Sequence, residues 1–219
     1  MLPLIDKTDT FELVRDKIAQ ILADEIAGQV SQAGANADAY RLHVYTERAN
    51  PWNGWLYSEL EQIDPTPFVN VFYETDTFNR RSGNIVESQE TEAIYNLDCY
   101  GLGIGAETLA GHLSADQAAA LESHRAARLV RNILMAGEYT YLGIRALVSE
   151  RWVDRRVSFP PPKDLQTVQR VGVTRLVLRV KFVEYSPQYE PVDAELLHIE
   201  LKRDTDGRVL SVLEYAFTP

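Results

Sequence analysis

One stretch of the sequence, Ala93–Leu147, constrains the fold most, because a strand, a glycine-rich turn and a long helix follow one another in it. The segment 92–100 alternates apolar and polar residues, which predicts a strand. One face of this strand carries Ala93, Tyr95, Leu97 and Cys99. The glycines of Gly-Leu-Gly-Ile-Gly come next, at 101, 103 and 105. We therefore expect the rest of the chain to pack around a strand–turn–helix unit.

The helix of this unit begins near Ser114, where Ser114 and Gln117 have capping-box spacing, and ends at Gly137. Apolar residues at helical spacing predict a wide buried stripe, and a basic row lies mainly off it. The predicted stripe is Leu121, Ala126, Leu129, Val130, Ile133 and Leu134. The basic row is His124, Arg125, Arg128 and Arg131. Such a row is usually a solvated helix face, but in a ring-forming acidic protein it can pair with carboxylates of the next subunit.

The remaining elements indicate an α+β fold. A first helix spans 9–31, with Asp9 and Glu12 at capping-box spacing. Predicted strands cover 41–47, 68–74, 146–153 and 171–185, and a hairpin joins 195–203 to 208–217. Several strands follow one another in the chain, and only two helices interrupt them. This order favours an antiparallel or mixed β-sheet with two main helices packed on it, plus long loops and a C-terminal β-hairpin. We predict two parts, an α+β domain at 1–187 and a hairpin extension at 188–219.

Three long segments, 48–67, 75–91 and 154–170, are predicted to be irregular, and loops of this length are usually functional or part of an interface. The first contains Trp52 and Trp55, which suit an interface if exposed; they can equally close over the edge of the core. The second contains Arg80 and Arg81 at the tip of a wide hairpin. The candidate contacts with a subunit or partner are these two tryptophans, these two arginines and three arginines of the second helix: Trp52, Trp55, Arg80, Arg81, Arg125, Arg128 and Arg131.

Composition excludes some classes of function. The chain has 219 residues, 45% of them hydrophobic, and a formal net charge of -10. So acidic a chain is a poor generic nucleic-acid binder, although an acidic surface also suits a channel that DNA must pass without sticking. The single cysteine forms no intramolecular disulfide, and neither a membrane span nor a signal peptide is evident, so we expect folding in the cytosol.

The glycine motif is a weak nucleotide-binding signal. Its spacing is GxGxG instead of GxGxxG, and Ser114 follows Gly105 by nine residues, whereas a phosphate-binding turn opens directly into its helix. We interpret the glycines as a flexible strand-to-helix loop.

Other chemistry is equally poorly supported. The four histidines, 43, 112, 124 and 198, have no metal-ligand spacing, and Cys99 has no partner cysteine. Cys99 reads as a buried structural thiol, and Asp98 as a helix-cap or interface residue. We predict no catalytic, cofactor-binding or metal-binding residue and no enzymatic activity.

The order of elements resembles the tail terminator (tail-completion, neck) proteins of long-tailed bacteriophages. The likeness covers about residues 5–185 and is carried by an N-terminal helix and three motifs. These are Asn-Leu-Asp-Cys-Tyr-Gly at the end of the third strand, Ala-Ala-Arg-Leu-Val-Arg-Asn-Ile-Leu in the second helix and Arg-Leu-Val-Leu-Arg-Val-Lys-Phe in the long strand. The opening segment from Leu4 also looks like proteins of phage structural clusters.

The resemblance implies a structural virion protein in the tail or neck, made in the host cytoplasm. Such a protein forms a homo-hexameric ring on the last ring of tail tube protein and presents a surface to the head-tail connector on the portal side. In contractile phages it also meets the tail sheath, and genomic DNA passes through its lumen without sequence-specific binding. This chain is longer than the small terminators, and the excess falls in the long loops and the hairpin.

Three other readings remain open. One is a head-completion or stopper ring on the portal. Another is a small-ligand enzyme, which requires Asp98, Cys99 and His43 to share a closed pocket. The third is a regulatory binding module with no role in the virion.

Overall fold

The computed structural model describes residues 8–52, 64–79, 88–108, 111–159, 171–185, 196–202 and 209–216. The chain forms two compact units. The larger spans Asp6–Ser186, and the smaller contains Pro187–Pro219. The predicted boundary at 187/188 lies beside this division, in residues outside the described ranges.

The larger unit contains a five-stranded mixed sheet and two long helices, as the α+β prediction required. Its helices are α1 (Thr10–Ala33) and α2 (Ala115–Leu134), with 3₁₀ turns at Gly34–Tyr40 and Gly137–Tyr139. Its strands are β1 (His43–Thr46), β2 (Phe68–Phe78), β3 (Ser88–Leu102), β4 (Ala106–Thr108), β5 (Gly111–Leu113), β6 (Val148–Phe159) and β7 (Val171–Tyr185). The sheet order is β1-β2-β3-β7-β6, with β1 parallel to β2 and the other neighbours antiparallel. Strands β4 and β5 form a separate two-stranded sheet.

Both helices pack on one face of the sheet, where the main core lies. The alternation of β3 turns Tyr95 and Leu97 into this core, and α1 contributes Val14, Ile18 and Leu22. The phenol of Tyr95 donates a hydrogen bond of 2.9 Å to the carbonyl of Phe11, so its burial leaves no unpaired hydroxyl. The strand face that the sequence assigned to Ala93, Tyr95, Leu97 and Cys99 is therefore the buried face of β3.

The first turn of α1 is tied to the sheet by a carboxylate. The side chain of Glu184, in β7, accepts hydrogen bonds of 3.1 Å from the backbone N–H and the hydroxyl of Thr10. An acceptor at this place satisfies an N–H group that the helix itself leaves free. Burial raises the pKa of Glu184, while the bonds from Thr10 oppose that rise. At the N-terminus of α1, the carboxylate of Glu12 also accepts a hydrogen bond of 3.3 Å from the backbone N–H of Asp9, as the capping-box spacing predicted.

Helix α2 approaches the sheet unusually closely, because three glycines leave room for its backbone. A Cβ at Gly101 would lie 2.6 Å from the carbonyl oxygen of Ala119, and a Cβ at Gly172 would lie 2.5 Å from the same oxygen. A Cβ at Gly103 would collide with the first turn of the helix at Ala115. Gly101 and Gly172 are cross-strand partners in β3 and β7. Gly101 and Gly172 therefore form a flat platform for the helix, and the prediction of a loop is wrong for Gly101, which lies in β3, whereas Gly103 follows the strand in irregular backbone.

The close approach changes which face of α2 is buried. The buried residues are mostly small: Ala119, Ser123, Ala126, Ala127, Val130 and Leu134. Leu121, which the sequence pattern assigned to the buried stripe, is 54% exposed. Only small side chains fit between the helix and the glycine platform, so the larger Leu121 lies outside it. The capping box predicted for Ser114 is also wrong, because its hydroxyl bonds to Asp116.

Several elements extend beyond their predicted bounds. Strand β2 ends at Phe78 and strand β3 begins at Ser88, so both enter the segment predicted to be a loop. Strand β6 likewise runs to Phe159, through part of another predicted loop. Helix α2 ends at Leu134 instead of Gly137. Strand β7 has the predicted bounds, and Leu176, Leu178, Val180 and Phe182 of β7 are buried as expected.

The described part of the smaller unit is a two-stranded antiparallel sheet of β8 (Leu196–Lys202) and β9 (Val209–Ala216). Both strands fall within the hairpin arms that the sequence predicted, to within a residue or so at each end. Its register pairs Leu197 with Tyr215 and Ile199 with Leu213.

No helix in the described ranges has the length and apolar character needed to cross a membrane.

The glycine platform yields a stability prediction. Gly101→Ala and Gly172→Ala should each lower the free energy of unfolding by about 3 kcal/mol, the upper part of the range for overpacking, because the obstacle is helix backbone. Gly28→Ala in α1 is the matched control, since nothing lies within 4 Å of its added Cβ. This control should raise stability by up to about 1 kcal/mol through helix propensity. Urea unfolding followed by circular dichroism measures all three; equal effects at the three positions would contradict the platform.

Candidate functional site

The sheet face opposite the helices is filled by side chains of the chain itself. At one end an aromatic cluster covers it: Trp52, Phe68 and Tyr100 pack together with Leu102, Val171 and Val173. The rings of Trp52 and Tyr100 lie 5.6 Å apart, and Trp52 is only 7% exposed. Trp52 thus closes over the edge of the core, and its assignment as an exposed interface residue is corrected. Trp55 lies outside the described residues.

Charged pairs cover the rest of this face. Arg175 donates to both carboxylate oxygens of Asp98, at 2.6 and 2.7 Å, and the Asp98 side chain is 4% exposed. Arg179 pairs with Glu92 at 2.7 Å. The hydrogen bonds to Asp98 raise the pKa of Arg175. Asp98 is therefore the anion of a bidentate pair across β3 and β7 and not a helix cap.

Lys181 and Glu150 continue this row of pairs at the neighbouring edge strand, 2.9 Å apart. The ammonium group of Lys181 also lies 5.4 Å from the centroid of the Trp152 ring, within reach of a cation–π contact. On the other side of Asp98, the amide of Asn96 donates to Glu74 at 2.7 Å. Most charges on this face thus have an opposite charge or a polar partner beside them.

The three residues required by the enzyme reading do not form one pocket. Cys99 lies on the helix-covered face, fully buried, whereas Asp98 lies on the opposite face. Burial raises the pKa of the Cys99 thiol, which disfavours the thiolate that a nucleophile needs. His43, in β1, is exposed, and its Nε2 lies 2.9 Å from Asp64. Hydrogen bonds from Thr66 and His43 lower the pKa of Asp64 to about 2.

The glycine motif does not sit at a helix N-terminus. The hairpin of β4 and β5 separates Gly105 from Ala115, the first residue of α2. Gly101 and Gly103 contact the body and the first turn of the helix from the side. A phosphate would need free backbone N–H groups at that end, so the role of the glycines is packing. Within the described ranges no three His, Cys, Asp or Glu side chains are placed to hold a metal ion.

The basic row on α2 separates into bound and exposed members. Arg125 donates to Glu122 at 2.6 Å and also to the carbonyl of Ala39, and its side chain is 18% exposed. This arginine is thus held within its own subunit, which weakens its assignment as a partner contact. Arg128 and Arg131 are exposed and form no ion pair with any described residue. Arg80 and Arg81 lie outside the described residues.

A surface groove with a mixed apolar and charged lining, to which Arg125 contributes, lies between the start of α2, the end of β3 and the segment 64–67. Its volume is about 500 Å³. Ile104 is 64% exposed and Leu121 is 54% exposed, and both line it. Leu102, Leu113 and Ala118 complete its apolar lining, with charged residues such as Arg41 and Glu122 around them.

Sequence reasoning missed this groove because it placed Leu121 in the core. The run of small residues at 119, 123, 126 and 127 was the available signal, since it marks the face that can approach a strand closely. The outer face of α2 thus carries the exposed Leu121 and two exposed arginines, and Ile104 adds a second exposed apolar residue to the groove beside it, a composition typical of an interface.

No protein-family model matches the sequence, and no significant match is found among curated proteins. The likeness to tail terminators therefore rests on the three motifs and the order of elements alone. Those motifs lie in β3, α2 and β7, the elements that build the glycine platform and the central sheet.

The Asp98–Arg175 pair yields the second prediction. Asp98→Asn removes one charge from a bidentate pair whose carboxylate is almost fully buried, so it should lower the free energy of unfolding by about 2 kcal/mol. Glu150→Gln removes a charge by the same isosteric change from a pair whose carboxylate is 61% exposed. It should cost less than about 1 kcal/mol. Chemical denaturation at neutral pH measures the free energy of unfolding of both variants. A larger loss of stability in Glu150→Gln than in Asp98→Asn would contradict the conclusion that the Asp98–Arg175 pair is the more stabilising of the two.

Proposed function

We propose that this chain is a ring-forming tail terminator at the neck of a long-tailed phage, capping the tail tube and joining it to the head connector. The observation that carries the proposal is the outer face of α2. There, Leu121 is exposed and lines a groove with the exposed Ile104, and Arg128 and Arg131 are exposed farther along the helix, in a chain whose net charge is -10. Such a surface is suited to association with a protein partner.

Charge favours another copy of the same chain as that partner. The exposed arginines have no ion pair among the described residues, while acidic side chains such as Asp24 on α1 are exposed. A ring needs two different patches on each subunit, because its interfaces are heterologous. A cationic face on α2 and acidic surface elsewhere provide such a pair of unlike patches.

The paired charges on the opposite face of the sheet also favour α2 as the surface that contacts a partner. Asp98, Arg175, Glu92 and Arg179 satisfy one another within the subunit, so they contribute stability and offer few free charges to a partner. The net charge of -10 also suits a lumen through which DNA slides, because like charge keeps the phosphates from binding. In this role the chain works by shape and assembly, without a catalytic residue.

The proposal predicts a closed ring in solution that binds tail tubes. Native mass spectrometry of the full chain should give one discrete oligomer, a hexamer on the tail-terminator reading. Adding it to assembling tail tube protein should stop tube growth. The double variant Arg128→Glu, Arg131→Glu should shift the oligomer toward monomer by at least tenfold in concentration, since it places like charges at the interface. Arg145→Glu, an exposed arginine after the end of α2, is the control and should leave the ring intact.

A strictly monomeric chain that fails to cap tubes would contradict the proposal. A ring that binds purified portal and not the tail tube would replace it with the stopper reading.

A further inference from the structure

Helix α2 and the edge strand β6 lie side by side, and contacts at two places fix their alignment. In the middle of α2, the Nε2 atom of His124 lies 3.3 Å from the hydroxyl oxygen of Ser158 in β6. Just after the helix, the carbonyl of Ala136 accepts a hydrogen bond of 2.6 Å from Arg151, near the start of β6. The second half of α2 therefore runs along β6 in the opposite direction. We call this boundary the α2–β6 seam.

The helix side of the seam is cationic. Residues three and four apart lie on one face of an α-helix, so Arg128 and Arg131 share a face with His124 and Met135. Both ends of that face touch β6, since the sulfur of Met135 lies 3.3 Å from Nη1 of Arg151. Arg128 and Arg131 thus lie on the helix face that borders the strand. Both are exposed.

The strand side of the seam adds a third guanidinium group, that of Arg156. Cross-strand partners lie on the same face of a sheet, and Arg156 is paired with Leu176 of the main core, as Ser158 is with Thr174. Arg156 therefore belongs to the face of β6 that borders α2, and it is exposed. Its positive charge also opposes the rise in the pKa of the Cys99 thiol on the helix-covered face, as this position requires.

Neither side of the seam carries a carboxylate. The seam positions are His124, Arg128, Arg131 and Met135 on α2 and Arg151, Val153, Arg156 and Ser158 on β6. None of them is acidic, although Asp and Glu outnumber Lys and Arg by 32 to 22 in the chain. Arg128, Arg131 and Arg156 form no ion pair with any described residue, in contrast to Arg175 and Arg179 on the other sheet face. Neighbouring guanidinium groups repel one another, so the seam favours a ligand with several negative charges.

We propose that the α2–β6 seam binds a phosphate-bearing ligand, with the guanidinium groups of Arg128, Arg131 and Arg156 donating hydrogen bonds to its phosphoryl oxygens. The planar fork of N–H donors on a guanidinium group matches the oxygens of a phosphoryl group. The site lies within one subunit and goes beyond the proposed function, because it needs neither a ring nor a second copy of the chain.

The charge of the ligand favours phosphate over carboxylate. A phosphate monoester carries a charge of about -1.5 to -2 near neutral pH, whereas a carboxylate carries one negative charge. One diphosphate group can therefore balance three guanidinium groups, while a protein partner would have to place several acidic side chains there. The hydroxyl of Ser158, at one end of the seam, is a further possible donor to a phosphoryl oxygen.

Inorganic pyrophosphate is the probe for the first test. Isothermal titration calorimetry of the full chain at low ionic strength should show binding to the wild type. Arg156→Gln and Arg131→Gln should each weaken that binding by about tenfold, because each removes a charge-assisted hydrogen bond.

Arg155→Gln is the matched control, since it removes the same charge from the next residue of the same strand. Arg155 is exposed, pairs in register with Val177 and lies 3.7 Å from the carboxylate of Asp154, away from the seam. It should bind pyrophosphate as the wild type does. Unchanged circular dichroism and urea midpoints confirm that each variant folds.

Nuclear magnetic resonance locates the ligand. Pyrophosphate should shift the Nε–Hε resonances of Arg128, Arg131 and Arg156 in the wild type. The resonance of Arg145, an exposed arginine outside the seam, should stay in place.

Two further probes identify the source of the phosphate. A short oligothymidylate that binds more tightly than pyrophosphate, with a steeper dependence on salt, supports the inference and identifies a nucleic-acid backbone. Pyrophosphate that binds at least as tightly as the oligothymidylate supports it with a free phosphate or nucleotide as the ligand. An oligoglutamate peptide that binds more tightly than either overturns the inference in favour of an acidic protein segment.

The remaining outcomes separate the inference from the proposed function. No pyrophosphate binding at millimolar concentration, or an equal loss of binding in Arg155→Gln and Arg156→Gln, overturns the phosphate site and leaves the proposed ring standing. A strictly monomeric chain that binds pyrophosphate through Arg156 supports the site and removes the ring.

Discussion

The close approach of α2 to the sheet is the constraint on which the rest of the larger unit depends. Gly101 and Gly172 stand side by side in β3 and β7, and both face the carbonyl of Ala119. No side chain separates helix from sheet there, so the helix buries Ala119 and Ser123 at the platform, and its larger buried residues, Val130 and Leu134, lie farther along the helix. Packing at this density tolerates few changes of volume. The exposure of Leu121 is thus a consequence of the same contact that fixes the helix.

The two faces of the sheet are stabilised in different ways. On the helix side, aliphatic and aromatic residues such as Leu97 and Tyr95 are excluded from water. On the other side, Arg175 donates two hydrogen bonds to the carboxylate of Asp98 in a partly shielded position. Breaking one partner of such a pair costs more than the pair contributes, which makes that face intolerant of change. On the solvent side of α2, Arg128 and Arg131 form no ion pair with any described residue, and this is where we propose the contacts between subunits.

Much of the framework could be predicted from periodicity, and much of the interaction surface could not. The alternation in 171–185 gave β7 its bounds and its buried face, because period-two patterning reports burial directly. Leu121 was misassigned because helical periodicity ranks residues by hydrophobicity, whereas the glycines of two distant strands decided which residues fit. The sequence left Trp52 open between an interface and the edge of the core, because its burial against Tyr100 depends on a long-range contact. Arg125 looked free in the sequence, but Ala39, far away in the chain, accepts its hydrogen bond.

In the proposed ring, the packed interior of each subunit leaves the outer face of α2 for assembly. The central claim is that α2 lies at the boundary between subunits of a closed ring. Single-particle electron microscopy of the purified full-length protein tests it most directly. The account predicts a ring with an open lumen in which the outer face of α2, with Leu121 and Arg128, contacts the next subunit. Isolated monomers, or a ring whose α2 faces solvent all around, would contradict it.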